Sequence, residues 1–238
     1  MFKIRAVLQN ITLFSHLLPL LLFFLFLARN KKTEIRVIFF YCLYSFINDY
    51  LITVFSSKGK SGDNSILILL SVFTLIEYLL FSVALFLIIK KPLFKKIIFL
   101  ASPFFLAVCT YQFYLNFHTS TIDSISITVE YIFIIAFALL YFFEELNEPS
   151  TTFIYSSYKF WMILGILIYS TGTFFFFMQS SDLTDEQWDT WSPINYVFTL
   201  IKNIFFGVAI IIRKDNVPPS NSFQPPYDEL FDKPITPL

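Results

Sequence analysis

The 238-residue chain is 56% hydrophobic, 21% aromatic and only 14% charged, and its 17 basic residues are matched by 17 acidic ones. Soluble chains average about 25% charged residues, and a mean hydropathy of +0.68 points the same way. This composition excludes a soluble enzyme and a secreted disulfide scaffold. The balanced charge leaves no field to attract a polyanion, which excludes a nucleic-acid binder.

In chain order, seven apolar blocks are long enough to cross a bilayer, which takes about 20 residues: 11–28, 37–55, 66–89, 97–115, 125–143, 160–178 and 194–212. None alternates with the two-residue period of an outer-membrane strand, and in hydrocarbon only helices and closed barrels satisfy their backbone. The fold class is therefore all-α: a polytopic, seven-helix transmembrane bundle over residues 1–212. The first block follows Lys3 and Arg5 as a signal peptide would, but bulky Leu25 and Phe26 stand where a cleavage site needs small side chains. It is expected to be a retained helix.

Lysine and arginine in the connections set the expected orientation. Twelve lie on the side that holds Arg29 to Arg36, Lys90 to Lys96, Lys159 and the C-terminal tail, against four on the side of the N-terminus. That places the N-terminus outside and the C-terminus in the cytoplasm. The stretch 180–193, with Asp182, Asp185, Glu186 and Asp189, reads as an acidic outer loop, and Trp188 and Trp191 suit the interfacial aromatic belt.

Catalytic signals are weak. Cys42 and Cys109 differ in depth by roughly 10 Å at 1.5 Å rise per residue, too far for a disulfide, so two free thiols are expected. His16 in the first span and His118 in an outer loop are the two histidines. They form no pair at helical spacing and no cluster with cysteine, so no zinc ligand set is present, and no Gly-rich phosphate loop accompanies them. Neither a cofactor nor a metal is expected.

The informative residues are the ionisable ones at membrane depth: Asp49, Glu77, Glu130 and Lys202. A charge at a helix centre costs about 2.5–3.5 kcal/mol on insertion scales, so such residues face the bundle interior and find partners. At 1.5 Å per residue Asp49, Glu130 and Lys202 lie roughly 9, 8 and 12 Å below the outer edge, with Glu77 near the midplane. His16, Asn48, Gln112 and Asn203 fall at similar depth, while the inner halves of the spans are almost uniformly apolar. An outward-facing polar pocket follows, to which the candidate site residues Asp49, Glu77, Glu130, Lys202, His16, Asn48 and Asn203 are assigned. One acid is expected to pair with Lys202 and another to be protonated, Glu77 as the deepest being the candidate. The competing reading makes these residues structural clamps between helices, each worth less than about 2 kcal/mol.

In the last span, Asn195, Thr199 and Lys202 share one face, and in the sixth so do Gly165, Tyr169 and Gly172, the latter a close-packing pattern. Retinal is disfavoured by Phe198 four residues before Lys202 and by the placing of all three tryptophans outside or at the ends of the spans. Beyond the last span, residues 213–238 carry six of the eleven prolines and read as a disordered cytoplasmic tail. Tyr227, Leu230 and Phe231 in it are candidate contacts for a cytoplasmic protein partner.

The order of spans, the segments 73–82 (FTLIEYLLFS) and 160–169 (FWMILGILIY) and the pair Ile194–Asn195 resemble a group of multi-pass integral membrane proteins typical of Bacteroidetes-type bacteria. The Phe, Ile, Tyr, Lys and Asn richness suits the AT-rich genomes of that group. The resemblance implies acidic positions at Glu77, at Glu130 and at Asp49; Thr199 departs from an expected asparagine and Lys202 matches no motif. The group lends no activity. Intact helices and a one-sided pocket favour a receptor-like sensor of a small molecule or ion, over a proton-coupled transporter, a lipid-modifying enzyme or a structural bundle.

Overall fold

The computed structural model describes residues 2–26, 32–57, 64–119, 124–149, 153–180 and 184–212. The tail 213–238, most of the basic residues near 29–31 and 58–60, the acidic Asp182 and the His118 side chain lie outside what it describes. The described residues are all-helical: α1 (Phe2–Ser15), α2 (Leu17–Leu25), α3 (Thr33–Ser57), α4 (Asn64–Ile88), α5 (Pro92–Thr119), α6 (Ser124–Asn147), α7 (Tyr158–Ser180) and α8 (Asp185–Ile212), with one 3-10 turn at Ile154–Ser156. α1 and α2 together make the first of seven spans long and apolar enough to cross a membrane. The chain is a multi-pass, seven-helix membrane protein.

Three element boundaries have chemical causes that hydropathy does not carry. The first span is interrupted at His16, three residues before Pro19, whose ring has no N–H to bond the Ser15 carbonyl and crowds it instead. His16 keeps right-handed helical angles (φ −63, ψ −26), so the axis runs on. α5 starts five residues earlier than its apolar block because Pro92 occupies a first-turn position, where a missing N–H costs nothing. α8 starts at Asp185, so most of the expected acidic loop is helix. The cause is a capping box: Thr184 N donates to Gln187 Oε1 at 2.9 Å and Gln187 N to Thr184 Oγ1 at 3.4 Å. His118, expected in a loop, likewise falls within α5.

Six spans close a ring in the order α1–α2, α8, α7, α6, α4, α3, while α5 packs outside it against α4 and α6. The tightest seam is α7 on α8, made by glycine. A Cβ on Gly172 would lie 2.2 Å from the Phe198 ring, and one on Gly165 would lie 3.0 Å from Phe205 Cβ. Phe198, Lys202 and Phe205 share one α8 face, so these glycines also hold the Lys202 turn against α7. One half of the ring interior is filled by Ile38, Phe81, Leu85, Ile134, Phe137, Ile163, Ile166, Phe206 and Ile210, each at most 2% exposed. At this closed end Glu144 of α6 anchors the α4–α5 turn: its carboxylate accepts the Lys90 N–H at 3.0 Å and the Lys91 N–H at 2.7 Å.

Candidate functional site

The other half of the ring is hollow. Where α3 ends and α4, α6 and α8 begin, a cavity of about 370 Å³ is lined by α1, α3, α4, α6, α7 and α8. That volume lies at the lower end of the 300–1,000 Å³ typical of small-molecule sites. The polar lining comes from helical registers that keep one side chain per turn inward: Ser45, Asn48 and Asp49, Thr53 on α3, and Ser192, Asn195 and Tyr196, Thr199, Lys202 on α8.

The floor is an acid held by three tyrosines. Tyr41 of α3 donates its hydroxyl to Glu77 Oε1 at 2.6 Å, and Tyr131 of α6 and Tyr169 of α7 reach Glu77 Oε2 at 3.2 and 3.4 Å. The two latter hydroxyls are 3.2 Å apart. Lys202 does not touch Glu77. Its ammonium donates to the Tyr41 hydroxyl, which passes the interaction on to the carboxylate. It also sits 3.6 Å from the Tyr169 ring centroid and 4.6 Å from that of Tyr41, cation–π distances in a desolvated setting. Glu77 and Lys202 are each 1% exposed. Opposite charges there offset each other's desolvation only with the remaining hydrogen bonds made, which is what the tyrosines supply on the Glu77 side.

A second network flanks the cavity at the break in the first span. His16 Nε2 lies 3.0 Å from Asp49 Oδ2, with His16 buried and the Asp49 side chain 37% exposed. Asn203 Nδ2 lies 3.1 Å from His16 Nδ1 and donates to Ser15 Oγ at 2.7 Å. This arrangement puts the neutral ring's proton on Nε2, facing Asp49.

Of the seven residues singled out in the sequence, Asp49, Glu77, Lys202, His16 and Asn48 line the cavity. Asn203 stands behind His16 as its second partner. Glu130 is elsewhere: it is 1% exposed, does not line the cavity, and neither of its carboxylate oxygens has a hydrogen-bond partner among the described residues. It lies within electrostatic reach of Glu77 and of Tyr78, whose ring stacks on Phe105 of α5. The direct Lys202–acid pair expected from the sequence is replaced by the Tyr41 relay. Sequence reasoning missed Tyr41 and Tyr131 and gave Tyr169 a packing role only. Tyrosine at the depth of the buried acids was the available signal. Gln112 does not line the cavity. Cys42 and Cys109 are not joined in a disulfide. Among the described residues, no group of His, Cys, Asp and Glu is placed to hold a metal ion.

No protein-family model, curated protein or solved structure matches the chain.

Proposed function

We propose that the protein is a receptor-like sensor in a bacterial inner membrane, binding a small molecule in the α1/α3/α4/α6/α7/α8 cavity from outside and signalling to a cytoplasmic partner. The observation that carries this reading is the one-ended ring: a cavity with a charged floor, backed by a close-packed apolar half. Such a site binds without offering a path across. The orientation, with the N-terminus outside, rests on the twelve-to-four bias of basic residues, and the tail with Tyr227, Leu230 and Phe231 is the proposed output contact. Kinship with the Bacteroidetes-type group belongs to the same proposal.

The test is thiol accessibility. In a chain freed of Cys42 and Cys109, Thr53→Cys at the cavity wall should react with a membrane-impermeant maleimide on intact cells and be silent in inverted vesicles. Labelling only from the inverted side would overturn the orientation, and no labelling from either side would remove the open pocket.

A proton-coupled transporter is the second reading, favoured by Glu130. A buried carboxyl without a donor, next in sequence to the Tyr131 that bonds Glu77, suits a proton store beside a relay. Uptake of a substrate that is abolished by Glu77→Gln and by Glu130→Gln would support it; uptake unchanged by both would exclude it.

A further inference from the structure

The cavity's charges are unequally served. Each Glu77 oxygen has a tyrosine hydroxyl, and Asp49 has His16. Lys202 has one hydrogen bond, to a neutral hydroxyl, and no carboxylate within ion-pair distance among the described residues. An ammonium carries three N–H donors; beyond the Tyr41 hydroxyl and the Tyr169 and Tyr41 ring faces this one makes no further hydrogen bond among the described residues, although the side chain is 1% exposed and borders the cavity. One α3 turn toward the mouth from Tyr41, Ser45 Oγ is also buried, makes no hydrogen bond among the described residues and lines the same cavity. A buried hydroxyl without an acceptor among the described residues and an ammonium with one neutral hydrogen-bond partner, both bordering the same cavity, form a seat suited to an anion.

The α3, α4 and α7 walls carry Ile52, Ile66, Leu70, Phe73, Phe176 and Phe177, facing a more polar side formed by α1 and α8. A diffusible inorganic anion would leave them wet, whereas an apolar body would bury against them at about 25 cal/mol per Å². Tyr41 stands between Lys202 and Glu77, and the three tyrosine donors disperse the Glu77 charge, so a second carboxylate can approach the lysine from the cavity side.

We infer that the cavity takes a small apolar monocarboxylate, its carboxylate seated on Lys202 and Ser45 and its hydrocarbon body against the α3, α4 and α7 walls. This rests on the pocket reading above and specifies its ligand class.

Three probes of one chain length separate the chemistry: octanoate, octylamine and 1-octanol, each titrated calorimetrically into the purified full chain in lipid nanodiscs, with empty nanodiscs subtracted for partition. Saturable heat is expected for octanoate alone. Lys202→Gln should weaken octanoate at least tenfold, and Ser45→Ala, which removes no charge and leaves the fold intact, several-fold. Equal or tighter binding of octylamine or 1-octanol, or octanoate binding unchanged in both variants, would overturn the assignment. If no probe binds while Thr53→Cys is still labelled from outside, the monocarboxylate class falls and the pocket stands. If Thr53→Cys is unreactive from both sides, the pocket itself falls.

Discussion

The two halves of the helical ring are built from the same six spans but solve the membrane's problem differently. The closed half fills its interior largely with aliphatic and aromatic side chains and seats its acids at helix ends, where Glu144 takes the Lys90 and Lys91 N–H groups and Glu34 the Tyr158 hydroxyl. The pocket half leaves its interior partly empty and places two acids, a lysine and a histidine around the void. Lipid tails are as apolar as leucine, so packing rather than burial from water holds the closed half together. The pocket half carries buried ionisable groups, which stabilise a fold poorly and are retained for other reasons. The contrast teaches that the buried ionisable groups cluster: Glu77, Lys202, Asp49 and His16 all border the void, while Glu144 and Glu34 serve the helix ends of the packed half.

The comparison breaks most visibly at Glu77. Glu77→Leu strips three tyrosine hydroxyls of their acceptor and leaves Lys202 buried with no negative charge behind Tyr41. A loss of about 3–5 kcal/mol is expected from removing one partner of a buried charge network, read by unfolding in detergent. The double variant Glu77→Gln/Lys202→Gln should recover part of that loss, because neither charge is then left alone. Additive losses would show that the two residues are not coupled through Tyr41.

The closed half is probed by Glu144→Ala, which leaves the Lys90 and Lys91 N–H groups without their carboxylate. Hydrogen bonds to a charged group contribute about 1.5–3 kcal/mol, so stability should drop by that order while labelling of Thr53→Cys is unchanged. A change at the pocket would mean that the halves communicate. On the seam that spans both halves, Gly172→Ala drives a methyl into the Phe198 ring. Overpacking of this kind costs about 1–3 kcal/mol, and the displaced ring should alter labelling at the neighbouring cavity wall. The smallest effect belongs to Asp49→Asn at the half-exposed edge of the site, less than about 1 kcal/mol in stability. Partner capture tests the proposed output separately: a cytoplasmic protein retained by the full chain and lost from a version ending at Val217 would assign that role to the tail.

What could be read from sequence follows from which signals are one-dimensional. Seven spans and their all-helical class are written in block hydropathy, because length and apolarity alone decide what crosses a bilayer. Boundaries were displaced where a cap or a proline set them: Thr184 with Gln187 at the start of α8, Pro92 at the start of α5, and Pro19 behind the break at His16. Depth was legible for Asp49, Glu77 and Lys202, since rise per residue converts position into height. Rotation about the helix axis was not. Glu130 and Tyr131 are neighbours in sequence at nearly one depth, yet only the tyrosine lines the cavity. The tyrosine cage escaped for a related reason: Tyr41, Tyr131 and Tyr169 come from three helices, and each alone is an ordinary aromatic of a membrane span.

The most direct test of the division into a hollow and a filled half compares two cysteines on one helix. Thr199 borders the cavity and Ala209, ten residues on in α8, is buried in the packed half. In the chain freed of its native thiols, Thr199→Cys should react with a small water-soluble thiol reagent at a rate well above that of Ala209→Cys, which should stay unreactive from both sides of the membrane. Equal rates at the two positions would contradict the account.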